Sequence, residues 1–109
     1  VSTDIAWFDF SELCGGPRSS SDYVKLGKMY QTIIVSNVPF LRSDKEDQAR
    51  RFISLVDELY DNHVKLIISA EARVDSLYLG EILLFEFQRT VSRLTEMQSV
   101  EYLKNQHLT

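Results

Sequence analysis

Two arginines four residues apart, Arg89 and Arg93 in the run Arg89-Thr90-Val91-Ser92-Arg93-Leu94-Thr95-Glu96-Met97, are the side chains of this 109-residue sequence best placed to do chemistry. On a helix, residues i and i+4 share a face. Guanidinium groups grip phosphate or carboxylate in a planar fork, each charge-assisted bond contributing about 1.5–3 kcal/mol. The same spacing suits a surface ion pair with Glu86, Glu96 or another local acid, worth at most about 1 kcal/mol. Spacing alone leaves an anion site and an ion pair balanced.

Three other groupings have suitable residue types. A phosphate-binding loop needs a glycine-rich turn after a strand, closed by Lys and Ser or Thr, and the sequence has no such run. Cys14-Gly15-Gly16-Pro17-Arg18-Ser19 stands in the right place, between a strand and a helix start, and could hold an anion at the helix N-terminus; an ordinary capped turn uses the same residues. Gly27-Lys28 is followed by Met29 inside a helical pattern and has no such meaning. Ile53-Ser54-Leu55-Val56-Asp57-Glu58 matches an apolar run ending in a metal-binding Asp and a catalytic Glu, but it falls within a strongly helical pattern. That puts Asp57 and Glu58 on the solvated or interdomain side of a helix. Cys14 with His63 or His107 has the types of a thiol nucleophile and base, yet a lone thiol after Leu13 reads as core, and His63 as a polar group near a helix C-terminus.

The elements that must position these residues alternate. Ile5–Phe10 is short and aromatic-rich and stops at Gly15-Gly16-Pro17, as a strand before a turn. Ser19 with Asp22 predicts a capped helix start, followed by Tyr23, Leu26 and Met29 or Tyr30 at helical spacing. Thr32-Ile33-Ile34-Val35-Ser36 has almost no alternation and predicts a strand buried on both faces, closed by Pro39. Ser43 with Glu46 predicts a second capping box; behind it Ala49, Phe52, Ile53, Val56, Leu59 and Tyr60 trace one face of a helix to about Asp61. Val64–Ser69 reads as a third buried strand. Ala70–Gly80 suggests a short helical turn around Asp75–Leu79, and Ile82–Phe87 either an edge strand or the approach to a last helix from Gln88 to about Lys104, broken near Ser99. The order predicts an α/β fold, a two-layer or three-layer sandwich on a small, mostly parallel sheet of three or four strands with right-handed helical crossovers, ending in a helix.

Composition narrows the function. At 44% hydrophobic, the chain can build one core that buries roughly two thirds of its unfolded surface. A net charge of −4 gives no field that favours nucleic acid or an anionic membrane. One cysteine excludes an internal disulfide and, with two histidines, makes a zinc site implausible, so no metal is expected and a reducing compartment fits. No apolar run approaches the roughly 20 residues of a membrane span. Val1-Ser2-Thr3-Asp4 is neither a signal nor a Met start, which suggests a chain that begins inside a longer one.

The residues then become specific. Trp7-Phe8-Asp9-Phe10 with Leu13-Cys14, Asp22-Tyr23, Ser36-Asn37-Val38-Pro39, Arg50-Arg51-Phe52-Ile53, Val56-Asp57-Glu58-Leu59-Tyr60-Asp61, and Phe85-Glu86-Phe87-Gln88-Arg89-Thr90 through Ser92-Arg93-Leu94, Glu96-Met97-Gln98-Ser99 and Tyr102-Leu103 resemble the C-terminal third of the ZapE family. These are P-loop ATPases, also called AFG-one-like and related to AAA+ proteins. The resemblance covers essentially the whole chain and implies that residues 1–109 are a single C-terminal domain whose nucleotide-binding loop and Asp-Glu strand lie upstream. It implies ATP and Mg in the parent protein and no catalytic residue within this fragment. Arg89 and Arg93 match the family's Arg-Thr-x-Ser-Arg segment and are candidates for nucleotide sensing, in the same subunit or a neighbouring one. Arg50, Arg51 and Asp57 are candidates for contact with the upstream domain. Implied partners are that domain, further copies of the protein and, in bacteria, the division protein FtsZ in the cytoplasm; a eukaryotic member would be mitochondrial. The competing reading is a stand-alone protein-binding adaptor without nucleotide chemistry.

Overall fold

Residues 5–97 are described by the computed structural model. Strand β1 (Ile5–Asp9) leads into a short helix α1 (Phe10–Cys14), then α2 (Ser20–Met29), β2 (Thr32–Val38), the long helix α3 (Glu46–Asp61), β3 (Lys65–Ala70) and finally α4 (Leu84–Glu96). Single 3-10 turns at Ser43–Lys45 and Val74–Ser76 precede α3 and follow β3. The three strands are parallel in the order β1-β2-β3, with Trp7, Ile34 and Ile67 in one register row and Phe8, Val35 and Ile68 in the next. The expected α/β class and small parallel sheet are present.

This strand order advances without reversal. Crossovers of one hand, right-handed as parallel strands almost always require, therefore lay every helix on the same face of the sheet. Burial agrees: Ile33, Val35 and Leu66 are sealed, whereas Trp7 is 70% and Ile67 41% exposed in the row facing the other way. The architecture is thus a two-layer sandwich, and the expectation that the middle strand is buried on both faces is corrected, since Ile34 is only half-buried.

Helix α3 is the keel of the covered face. Ala49, Phe52, Ile53, Leu55, Val56 and Leu59 are buried along it. Phe52 lies between Phe10 of α1 and Phe87 of α4, at ring-centroid distances of 6.0 and 6.1 Å, and Tyr78 stacks on Phe87 at 5.2 Å. One aromatic row thus clamps three elements. The helix stops because His63 takes a left-handed φ of 57° and its N–H reaches the Tyr60 carbonyl at 3.2 Å while Val64 N–H reaches that of Leu59 at 2.9 Å. This is the Schellman pattern, with histidine where glycine is usual.

Several expectations shift. The first strand was expected to run to Phe10, but it ends at Asp9 because Asp9 and Glu12 form a capping pair: Asp9 Oδ2 accepts the Ser11 N–H at 3.1 Å and Glu12 Oε1 accepts the Asp9 N–H at 2.8 Å. That pair starts α1, a helix hidden within the aromatic run. At α2, Asp22 accepts the Ser19 N–H at 3.0 Å, as the capping pattern predicts. The Ser43–Glu46 box is overturned, since no side chain caps α3 and Glu46 faces elsewhere. Its carboxylate accepts the Tyr78 hydroxyl at 2.6 Å and the backbone N–H of Glu81 at 3.1 Å. The segment Ile82–Phe87 is the approach to α4, whose helix begins at Leu84, so it is not an edge strand. The expected break near Ser99 and the end of that helix at Lys104 lie outside the described residues.

Candidate functional site

The two arginines of α4 meet a single acid of α3. Burial of Phe87, Thr90, Leu94 and Met97 turns one side of α4 into the helical layer. Arg89 and Arg93 therefore emerge on the flank beside α3, one turn apart. Arg93 Nη1 donates to Asp57 Oδ1 at 2.5 Å, and Arg89 Nη2 reaches Asp57 Oδ2 at 3.4 Å. The Arg93 guanidinium also lies 4.8 Å from the centroid of the Tyr60 ring, whose hydroxyl donates to Glu96 Oε1 at 2.7 Å. That hydrogen bond to a carboxylate holds the Tyr60 phenol above its ordinary pKa.

The two arginines are not equivalent. Arg93, with 26% of its side chain exposed, is held by a short ion pair and an aromatic face; Arg89, half exposed at 50%, has one long contact. An exposed ion pair at such a distance contributes little, so Arg89 can leave Asp57 cheaply, whereas Arg93 cannot. Chemically this is a pair of cations with Asp57 between them and Glu96 beside Tyr60, in which Arg89 is the group able to exchange a carboxylate for a phosphate oxygen.

Sequence spacing pointed to Glu86 or Glu96 as the acid for Arg93. The structure supplies Asp57, thirty-six residues away. Of the residues named as interdomain candidates, Asp57 thus belongs to the arginine pair, while Arg50 and Arg51 lie nearer the start of α3 and do not join it. Arg51 Nη1 donates to the Cys14 carbonyl at 3.1 Å, and Arg50 is exposed. Sequence reasoning missed Tyr60 as the platform under Arg93, because an aromatic at the edge of an apolar stripe reads as core.

Other groupings resolve against chemistry. Cys14 is sealed in the core, and burial pushes its thiol up to about 12, so almost none is thiolate near neutrality. A thiol–histidine pair is thereby excluded for His63, which terminates α3; His107 lies outside the described residues. Asp57 and Glu58 sit within α3, not at a strand end. Among the described residues no cluster of His, Cys, Asp or Glu has the arrangement to hold a metal. An apolar groove of about 420 Å³ along β3 is lined by Leu66, Ile67, Ile68, Val74, Leu94 and Thr95, none of them titratable.

A sheet that winds one way has no point where strand order reverses, the place where open α/β sheets bind their ligands.

Comparison with known proteins supplies the context. The AFG1-like ATPase family matches residues 1–106. The chain is 50% identical over 99 residues to the cell division protein ZapE of Escherichia coli (strain K12), covering 91% of this chain and 26% of that protein. It is 35% identical over 131 residues to an uncharacterized protein of Schizosaccharomyces pombe, covering 94% of this chain and 29% of that one. To lactation elevated protein 1 homolog B of Danio rerio it is 33% identical over 130 residues, covering 90% and 26% respectively. The chain thus spans about a quarter of the length of the curated relatives it matches. No solved structure matches.

Proposed function

This chain belongs to the AFG1-like ATPase family, and from that premise we propose that it is the C-terminal domain of a ZapE-like ATPase, coupling ATP hydrolysis performed by residues outside it to a protein partner. The observation that carries this reading is the Arg89–Asp57–Arg93 node. Two guanidinium groups on one helix flank share the Asp57 carboxylate, and Arg89, held by one long contact, is the group able to turn to a nucleotide phosphate.

ATP and Mg belong to the family's chemistry, and the residues here fit only part of that requirement. The guanidinium groups suit phosphate oxygens, but the sequence offers no P-loop and the described residues no metal-holding cluster. In the parent protein, ATP bound elsewhere would supply the cleavable phosphoanhydride. Residues of this chain act on its charge. Arg93 is fixed by Asp57 and Tyr60, and Arg89, held by one long contact, would be the residue to meet a phosphate oxygen, in its own subunit or a neighbour's, and supply it with positive charge.

In a bacterium that partner is the division protein FtsZ and the location the cytoplasm. The match to the E. coli protein supports a bacterial member, since its 99 aligned residues are 91% of 109 and so need no insertion, whereas the 131-position yeast alignment exceeds the chain's own length. A eukaryotic member would act in mitochondria. Homo-oligomerisation follows if Arg89 serves a neighbouring subunit. The stand-alone adaptor draws support from one feature, the uncovered sheet face around Trp7. A P-loop immediately upstream of Val1 in the gene product would sink it.

The test is made in the full-length ATPase. Arg93→Ala is expected to lower turnover much more than it lowers the melting temperature, and Arg89→Ala to lower turnover with almost no change in melting. Unchanged turnover in both would leave the pair with an ion-pairing role only.

A further inference from the structure

The fold gathers a second set of arginines. Arg18, ahead of α2, and Arg50 and Arg51, in the first half of α3, line an open cleft of about 230 Å³ together with Ser20 and Asp47. Three guanidinium groups converge on a chain whose net charge is −4. Among the described residues the ion pairs are made by Arg73, Arg89 and Arg93, and none of the three cleft arginines makes one. Asp47 is the lone acid in the lining, so the cleft keeps an excess of two positive charges.

A bland explanation covers part of this. Arg18 Nε donates to the Glu12 carbonyl at 2.9 Å and Arg51 Nη1 to the Cys14 carbonyl at 3.1 Å, so both satisfy free carbonyls at the end of α1. Capping uses one of the five N–H donors of each guanidinium and fixes the direction of the rest. It leaves Arg50 unexplained, since Arg50 makes neither of these bonds; its acidic neighbours are Asp47 in the cleft lining and Glu46, whose carboxyl it helps to hold down. Placing three like charges around one cleft is unfavourable unless an anion offsets them.

We propose that the cleft bounded by Arg18, Arg50 and Arg51 is a phosphate-binding site, separate from the Arg89–Arg93 node and independent of its role. Arg18 and Arg51, held by their backbone bonds, are preorganised to accept a tetrahedral oxyanion from two sides. Arg50 closes on it from the exposed rim, and the hydroxyl of Ser20 lies within the same lining. The ligand is the phosphate group itself, reached either as a free polyphosphate or as the tail of a nucleotide. This joins two motifs that sequence reading kept apart, the Gly-Gly-Pro-Arg-Ser turn and the Arg-Arg pair of α3.

Calorimetric titration of the 109-residue chain with inorganic tripolyphosphate at low ionic strength tests it, with saturable binding expected at a Kd of about 0.1–1 mM. Arg50→Ala, which removes no hydrogen bond from the fold, is expected to weaken that binding about tenfold, and Arg50→Lys to recover part of the loss. Arg73→Ala, at an exposed arginine paired with Asp75 and outside the cleft lining, is expected to leave it unchanged. ATP binding as tightly as tripolyphosphate would mean that phosphate alone is read, and tighter ATP binding would identify a nucleotide as the source; both support the site. Absence of saturation by about 10 mM overturns it, as does binding lost in Arg93→Ala but kept in Arg50→Ala, which would move the anion to the other arginines. A polyglutamate peptide that binds where tripolyphosphate does not overturns it too, reassigning the cleft to an acidic protein segment.

Discussion

On the helix-covered face of the sheet Ile33, Val35 and Leu66 are inaccessible to solvent, whereas on the opposite face Trp7 and Ile67 are exposed. Residue type does not distinguish the two faces: isoleucine appears on both. The difference is topological. Two crossovers of one hand, advancing in one direction, can cover only one side of three parallel strands, and parallel sheets are almost always covered on both. Among the described residues the covered face holds the packed core, and the open face leaves its apolar side chains to solvent.

The sharpest way to break that comparison is at the centre of the covered layer. Phe52→Ala should destabilise the chain by about 3–5 kcal/mol in chemical denaturation, because it empties the aromatic row between Phe10 and Phe87. Next come neighbours on β3 that point to opposite faces. Leu66→Ala is expected to cost about 2–4 kcal/mol and Ile67→Ala about 1 kcal/mol or less. Equal losses would mean that the second face is covered after all.

The polar closure of the covered layer gives a pH signature. The Tyr78 hydroxyl, with the N–H groups of Glu81 and Ile82, holds the Glu46 carboxyl below its ordinary range, and Asn37 does the same for Asp9. A carboxyl depressed on folding contributes stability that is complete above its unfolded pKa, near 4.3 for Glu, and is lost as pH falls through the lower folded value. Stability should thus decline below about pH 4. Glu46→Gln should be less stable at neutral pH and lose less on acidification, Asp9 supplying the remaining slope; an unaltered acid limb in melting curves would remove Glu46 from this role. Gly80→Ala is a related disruption, since a Cβ there would strike both the Glu46 carboxylate and the Tyr78 hydroxyl. The smallest effect belongs to the open face, where Trp7→Ser should change stability by no more than about 0.5 kcal/mol.

Legibility in the sequence followed the range of the interaction. The stripe from Ala49 to Leu59, the Asp22 cap of α2 and the three apolar strand runs are local patterns, and each forms the element it implies. Helix α1 was obscured because Phe8-Asp9-Phe10 looks extended until the Asp9–Glu12 pair is considered. Glu46 carries the spacing of a local cap but finds Tyr78, thirty-two residues on, a better partner. The arginine node was half legible: i, i+4 spacing places Arg89 and Arg93 together, but nothing local identifies Asp57, which meets them only because α3 and α4 pack side by side. The convergence of Arg18 with Arg50 and Arg51 is equally non-local. The apolar density of β2 predicts burial on two sides, and the strand carries the residues for that environment while the described residues furnish one side of it.

Trp7, the sole tryptophan, stands on the edge strand β1 in the register row of Ile34 and Ile67, on that open face. Its indole is consequently a built-in optical reporter. In the chain alone its emission should be that of a hydrated indole, readily quenched by iodide, while Phe52→Ala, on the other side of the sheet, should hardly alter it before unfolding. Any body that settles on the face would shift the emission to the blue and shield it from quencher, so the exposed surface is also the one that announces, without a label, when it has been covered.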